Sequence, residues 1–467
     1  MSPKLLQYDS LKAVLMYLEA NSRIQLSQRA PSLRAVENLI PLRIDSLSFE
    51  AETSAVVIND TSYKLSILKD YPSHLKTPKY VQKENAAGGL PYEMDDYGFR
   101  TDSWDATPGD LDFRSGPHPD EDPWDPELEE QFERYDFMQY QEDFNLRLVF
   151  EGLRFYLDDI VTRESDENII DEVIRSLEVF DQRLIVEPIA DLEKYLDRSR
   201  DRCQSYVHLW NQTAVSWTPM LQLTISSESR GTIIQTYRSK EYFHSLKQLT
   251  TVLLGGRNCV IFVNKLAIAH TPKFVRLPEG LKIWTKHLAA PFDAFESLRM
   301  VLEPSSLPLK TLTICDARTT DIRRQKEHTM LQGVQILNLD NYIWWSQWPD
   351  IILNHIPDTP VINVRKDQLR RDYHVWLDLV QGMVENGRSL GARVTVGVYE
   401  VEEIEEFKEI VSQRYGILEE RFIKIPMNNG WTLGVSHEEN PNATKPDTPF
   451  SKSIPNWMLV MEVKENN

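Results

Sequence analysis

The chain has 467 residues, 41% of them hydrophobic, with 11 Trp, 18 Tyr and 17 Phe. That is enough apolar material for a sizeable core and excludes a chain disordered along its whole length. Of the net charge of −19, the stretch 93–143 alone carries −15, from 18 Asp and Glu against 3 Arg and no Lys, which leaves −4 for everything else. A nearly neutral body with one acidic insert has no basic surplus to neutralise phosphates, so nucleic acid and anionic membrane surfaces are not expected partners.

The first residues lack the basic stretch, continuous apolar core and small-residue cleavage site of a signal peptide. No run of roughly 18 apolar residues predicts a membrane span. Cys203, Cys259 and Cys315 are odd in number and far apart, which suits free thiols in a reducing compartment. The expected location is intracellular, cytoplasmic or nuclear. On that reading the sequons at Asn59, Asn211 and Asn442 arise by chance.

In chain order, residues 4–40 predict helices. Leu5, Leu6, Leu11, Val14, Leu15 and Leu18 recur at helical spacing, Asn21 and Ser22 suit a cap, and Pro31 suits the first turn of a third helix. Three strands follow, over 42–49, 55–58 and 63–68, with a turn at Asn59-Asp60. Residues 84–126, rich in Asp and holding six prolines from Pro91 to Pro126, read as a loop or linker. Helical patterns cover 127–157, 169–180 and 184–210.

From about residue 220 short apolar strands recur at 221–225, 260–263, 281–284, 309–315, 334–339 and 361–364, with helices at 241–253 and 290–301 between them. Three strands, PLKTLTIC, GVQILNLDN and TPVINVR, resemble one another at a spacing of about 25–27 residues, within the range of leucine-rich-type repeats. A helix at 367–386, a strand at 393–399, an acidic helix at 401–415 and strands near 422–425, 431–435 and 457–463 complete the chain, with a loop at 438–453. The expected fold class is α/β (α+β). Its parts are a helical module at 1–41, a small β segment at 42–83, the acidic insert at 84–145 and a helical segment at 146–218. An α/β body follows at 219–467, built of irregular strand–helix units, either leucine-rich-repeat-like or an open sheet.

The chemistry-bearing motifs of enzymes are missing. There is no GxGxxG, Walker, HExxH, CxxC or GxSxG pattern, and the histidines are scattered. Gly255-Gly256 suits a helix C-cap, with phosphate cradling beside Arg257 as the lesser alternative. Ser436 and His437 are neighbours, but a triad is recognised by geometry rather than adjacency. No catalytic residue, cofactor or metal is expected, and the chain reads as a non-enzyme. Tyr342, Trp344, Trp345 and Trp348 form an aromatic cluster, either a partner-binding hot spot or cover for the end of a sheet.

The segment YDSLKAVLMYLEANSRIQLSQRAPSLRAVENLIPLRIDSLSF resembles a divergent F-box, a three-helix element that docks on a Skp-type adaptor of a cullin ubiquitin ligase. More narrowly, that segment, the strand pair with Asn59 and Tyr63, LLGGRNCVIFVNKLAI (253–268), VRLPEGLKI (275–283) and SSLPLKTLTI (305–314) resemble a nematode-expanded family of uncharacterised F-box-like proteins. The usual Leu-Pro start is absent, since Gln7 follows Leu6, and so is the later Trp of the third helix. The resemblance implies a substrate-recruiting subunit. Leu5, Leu6, Leu11, Val14, Leu15 and Leu18 would face the adaptor and the body would hold an unknown protein target. The alternatives are a protein-interaction scaffold unrelated to ubiquitin, with 4–40 as a packed cap, and an enzyme, which no motif supports.

Overall fold

The computed structural model describes residues 8–50, 54–101, 106–113, 208, 212–257, 259–269, 274–315, 328–340, 348–365, 373–415, 417–419, 422–440 and 455–466. The expected helices across 127–210 therefore lie outside the described residues. The chain divides into two compact units, one of 1–67, 103–115 and 221–467, the other of 68–102 and 116–220.

The first unit begins with α1 (Tyr8–Tyr17), α2 (Ala20–Arg29) and α3 (Pro31–Glu37). Pro31 occupies the first turn of α3, where its missing N–H costs nothing. The expected cap at Asn21 is instead Glu19, whose carboxylate accepts from the Ser22 N–H at 3.1 Å. Asn21 is diverted to a tertiary role. Its amide donates to the Ile58 carbonyl at 2.9 Å and accepts from the buried Tyr63 hydroxyl at 3.0 Å. Burial, aided by the nearby Glu19 charge, pushes the Tyr63 phenol up to about 12.

Strands β1 (Arg43–Glu50), β2 (Ala55–Ile58) and β3 (Thr61–Asp70) form an antiparallel meander. Asn59 turns between β2 and β3 with φ +54, a conformation Asn tolerates better than most residues. Its carboxamide accepts from the N–H groups of Asp45 and Ser46 and donates to Glu19 at 2.7 Å.

In the second unit, α4 (Lys79–Ala86) is followed by a minimal hairpin, β4 (Glu93–Met94) with β5 (Arg100–Thr101). The Asp95 carboxylate takes the N–H groups of Tyr97 and Phe99 and shapes its turn. The Asn85 side chain pairs with both backbone groups of Lys69, at 3.1 and 2.9 Å, as a strand neighbour would.

Back in the first unit come β6 (Leu111–Asp112), β7 (Thr218–Ser227), β8 (Gly231–Arg238), α5 (Tyr242–Leu254) and β9 (Ile261–Ala269). The described part of 84–126 is thus not the continuous loop that its composition predicts. The reason is visible at Asp110, which is buried and accepts from Arg276 at 2.5 Å, Lys247 at 2.6 Å, the Leu277 N–H at 3.1 Å and both Thr107 donors. Burial by itself would raise the Asp110 pKa, but hydrogen bonds from Lys247, Thr107 and Arg276 outweigh it and hold the carboxyl below its ordinary value.

The remaining strands are β10 (Phe274–Val275), β11 (Ile283–Trp284), β12 (His287–Pro291), β13 (Thr311–Cys315), β14 (Ile336–Asp340), β15 (Val361–Arg365), β16 (Arg393–Val398), β17 (Ile417–Glu419), β18 (Phe422–Pro426), β19 (Thr432–Glu439) and β20 (Trp457–Lys464). Between them lie α6 (Phe295–Val301), α7 (Tyr373–Asn386) and α8 (Val401–Tyr415). The helix expected over 290–301 yields its start to β12, a strand that its two alanines conceal. Pro291 is tolerated because it stands at the strand's last position.

The strands form one large mixed sheet in the order β17-β18-β19-β20-β16-β15-β14-β13-β12-β9-β1-β2-β3-β7-β8. From β1 through β9 and β12 to β16 every neighbouring pair is parallel, and both wings turn antiparallel. One apolar core follows the sheet and includes Ala20 and Ile24 of α2, Leu254 of α5, Phe295 of α6, Trp376 and Val380 of α7 and Phe407 of α8. Among the N-terminal helices, α2 therefore contributes to the core of the body.

They are fixed there by charge. Glu37 at the end of α3, 1% exposed, binds Arg23 of α2 at 2.9 Å and Arg257, just after α5, at 2.7 Å through the same Oε1 atom. Arg23 also donates to the carbonyls of Pro41 and Ile40. Burial pulls the Arg23 pKa down and the Glu37 charge pulls it back. Arg257 is thereby committed to Glu37, which overturns the phosphate-cradling alternative. Of the glycine pair, Gly255 caps α5 with an ordinary φ and Gly256 carries the positive one, +71.

Replacing Glu37 with Ala strands two buried guanidiniums against each other and is expected to cost about 3–5 kcal/mol in urea unfolding. His328 supplies a pH test. Its Nδ1 accepts the Met330 N–H at 3.2 Å, and burial lowers its pKa below 6.5 despite Glu296 at 3.1 Å from Nε2. The folded state thus binds the proton less readily than the unfolded chain. The stability from this group is present above pH 6.5 and is lost as pH falls below it. In His328→Gln the fall of melting temperature between neutral and mildly acidic pH should be shallower.

Candidate interaction surfaces

The first surface is α1. Its sequence repeats apolar residues around more of the helix than one buried stripe requires, so burying one row leaves others in solvent. Leu15 is buried at 1% exposure and Leu11 is half-buried, whereas Val14 is 46%, Leu18 36% and Tyr17 90% exposed. Tyr8, Met16 and Leu39, which follows α3, add further exposed apolar groups. Of the six leucine and valine positions singled out in the sequence, Leu5 and Leu6 lie outside the described residues. The other four divide between packing (Leu15, and Leu11 in part) and display (Val14, Leu18). The exposed tyrosines and Met16 lie off the Leu/Val stripe, and spacing along the helix does not show which further apolar groups stay uncovered.

The second surface lies on the parallel strands. Along β13 and β14 alternate residues point to opposite faces. Leu312, Ile314, Leu337 and Leu339 enter the core, while Thr313 and Asn338 sit half-buried on the other face. Thr311, Ile336 and Val361 align in register, each 25 residues after the last, so equivalent positions of successive units meet side by side. One pleat further on, this alignment stacks Thr313, Asn338, Asn363 and Thr395.

These four side chains form a continuous chain. The Thr395 hydroxyl donates to Asn363 Oδ1 at 2.6 Å, Asn363 Nδ2 donates to Asn338 Oδ1 at 2.8 Å, and Asn338 Nδ2 donates to Thr313 Oγ1 at 3.0 Å. Each amide spends one donor and one acceptor on its neighbours, which leaves a second N–H and a second lone pair on each Asn. At one end Thr395 is buried. At the other the next register position is Ala289, which cannot extend the chain.

Beside the ladder, exposed Lys265 and half-buried His287 stand opposite each other in register, with exposed Lys310 next to Thr311. Burial first, then Lys310 and Lys265, lower the His287 pKa below its ordinary value. This face presents a row of amide and hydroxyl groups bordered by cations.

Other sequence candidates fall differently. Tyr342, Trp344 and Trp345 lie outside the described residues, in the segment that leaves the C-terminal end of β14. Trp348 opens the helical turn Trp348–Asp350. Ser436 and His437 are consecutive residues of β19 and point to opposite faces, and His437 lies 3.3 Å from Glu405 and edge-on to Trp457. Cys259 is a free thiol, and Cys203 is not described. Among the described residues no group of three or more His, Cys, Asp or Glu side chains gathers as a metal site would, and no helix is long and apolar enough to cross a membrane.

Residues 242–400 match the family model of a domain of unknown function, DUF3557. The match starts at the first residue of α5 and ends just past β16, so it spans the parallel strands β9 to β16 and the whole ladder. Searches of curated proteins and of solved structures return no match.

Asn363 is the link on which both neighbours depend. In Asn363→Ala the buried Thr395 hydroxyl loses its acceptor and Asn338 its donor, and thermal or urea unfolding should register a loss of about 1–3 kcal/mol.

Proposed function

We propose that this chain is a protein-interaction protein that recruits a target to a cullin-type ubiquitin ligase, with α1 as the adaptor-facing element and the sheet as the target-holding element. The observation that carries the reading is the display of Val14 and Tyr17 on a short helix and of Leu18 just after it, beside α2 and α3, which a buried ion pair joins. Contiguous exposed apolar side chains on a soluble domain mark a binding surface. Aromatic residues such as Tyr17 contribute large contact area when they become buried in a partner. The resemblance of 8–49 to a divergent F-box supports a Skp-type adaptor as the class of partner.

On the body, the ladder and its lysines offer hydrogen bonds with a cationic border, which suits an extended target segment with acidic residues. The proposal involves no nucleic acid, membrane, cofactor or metal.

A second reading has its own support. The sharing of one core by α2 and the sheet, and the Arg23–Glu37–Arg257 lock, are what a structural cap on an interaction scaffold unrelated to ubiquitin would also show.

Co-expression of the full chain with a Skp-type adaptor separates the two. The ligase reading expects co-purification that Tyr17→Asp and Leu18→Asp each weaken by at least about tenfold, ~1.4 kcal/mol, with unchanged melting temperature because both side chains are exposed. Leu15→Asp should unfold the helical region instead, since Leu15 is buried. If the intact chain binds no adaptor, the scaffold reading stands.

A further inference from the structure

The sheet ends in two very different edges. At one end β17 is only three residues long, Ile417–Glu419, and Glu420 and Arg421 follow it at once. A short, charged strand is how soluble proteins blunt an edge against further pairing. At the other end β8 runs for eight residues, Gly231–Arg238, in a hairpin with β7 closed by a turn at 228–230. Its sequence, GTIIQTYR, has no proline and no charge before Arg238, and β-branched and aromatic residues dominate it. All eight residues are exposed, with Ile233 at 48%, Ile234 at 59% and Tyr237 at 51%. Among the described residues no strand pairs with its outer side.

A strand of this kind carries a row of backbone N–H and C=O groups ready to pair, and apolar side chains on both faces that gain from being covered. The order of its residues is also self-complementary. If two copies run antiparallel about Ile234, Ile234 faces its own copy once on the axis, and Thr232 facing Thr236, Ile233 facing Gln235 and Tyr237 over Gly231 each occur twice. Ile–Ile and Thr–Thr are favourable cross-strand pairs, and an aromatic over an edge glycine restores cover that the glycine lacks. The Tyr237 hydroxyl already donates to Gln235 at 2.8 Å on the same face, so those two side chains form one surface. The one like-charge pair this register creates, Arg238 against Arg230, is relieved because Arg230 is turned away. Its guanidinium donates to Gln25 at 3.0 Å and Ser22 at 2.9 Å on α2.

We propose that the outer edge of β8 pairs antiparallel with β8 of a second copy of this chain, about a two-fold axis through Ile234. The resulting isologous contact joins two large sheets into one continuous sheet. It is a surface separate from α1 and from the Thr313–Thr395 ladder, so each copy keeps both free.

The axis gives the test. Sedimentation of the full chain at a concentration on the order of 100 µM, suited to an interface of modest area, should show a dimer. Ile234→Lys brings two ammonium groups together across the axis, and Ile234→Glu two carboxylates, so each variant should sediment as a monomer. An equimolar mixture of the two should recover the dimer, because only at a two-fold axis does one position meet itself. A monomeric wild type, a variant that stays dimeric, or two monomeric variants that ignore each other would overturn the proposal. If a variant fails to fold, amide exchange in the wild type decides. Protection over 231–238 that rises with protein concentration supports the pairing, and concentration-independent exchange there refutes it.

Discussion

One buried carboxylate governs how the first unit of this protein is put together. Glu37 sits between two guanidiniums in a region nearly closed to water, and removing it would leave two uncompensated cations inside the fold. The constraint reaches across the sequence, because Arg257 is 220 residues away from Glu37. It ties the end of α3 to the turn between α5 and β9, while Arg23 gathers the carbonyls of Ile40 and Pro41, where the chain leaves the helices for β1. Since β1 pairs in parallel with β9, the ionic lock and the strand pairing meet at the same corner. With α2 and α3 held so firmly, α1 is the part of the helical region that remains displayed.

Asp110 repeats the principle on a smaller scale. An acidic stretch that by composition belongs in solvent contributes one carboxylate that is drawn inward by Lys247 and Arg276 and anchors β6 beside β10. Charge in this protein is therefore divided by depth. Buried carboxylates organise connections, and the lysines at the sheet surface border the polar ladder.

The ladder itself follows from periodicity. A unit of 25 residues places Asn338 one strand away from Thr313 and Asn363 one strand further on, and parallel pairing brings the three into line. Parallel strands need a crossover between them, and strand pairing holds the register even where the crossover lengthens, as between Asn363 and Thr395. α1, the ladder face and the edge of β8 are three surfaces of distinct chemistry, respectively apolar and aromatic, amide-rich with cations, and bare backbone.

Much of this was legible in the sequence by itself. Local pattern was enough to place α2, α3 and α8, the three strands of the meander, and the strands at 311–315, 336–340 and 361–365, because alternation and helical spacing are properties of neighbouring residues. What sequence could not determine were the matters that depend on residues distant in the chain. β12 looks helical by its alanines and becomes a strand because β9 and β13 offer it partners on both sides. Asn21 looks like a cap and is taken by Ile58 and Tyr63, while Arg257 looks available to a ligand and is taken by Glu37. The sequence determined which residues could be apolar, charged or strand-forming. The tertiary structure alone decided which of them are spent inside the fold and which, like Tyr17, Asn338 and Ile234, are left to meet something else. Burial and hydrogen-bond partners are set by long-range contacts that no local pattern contains.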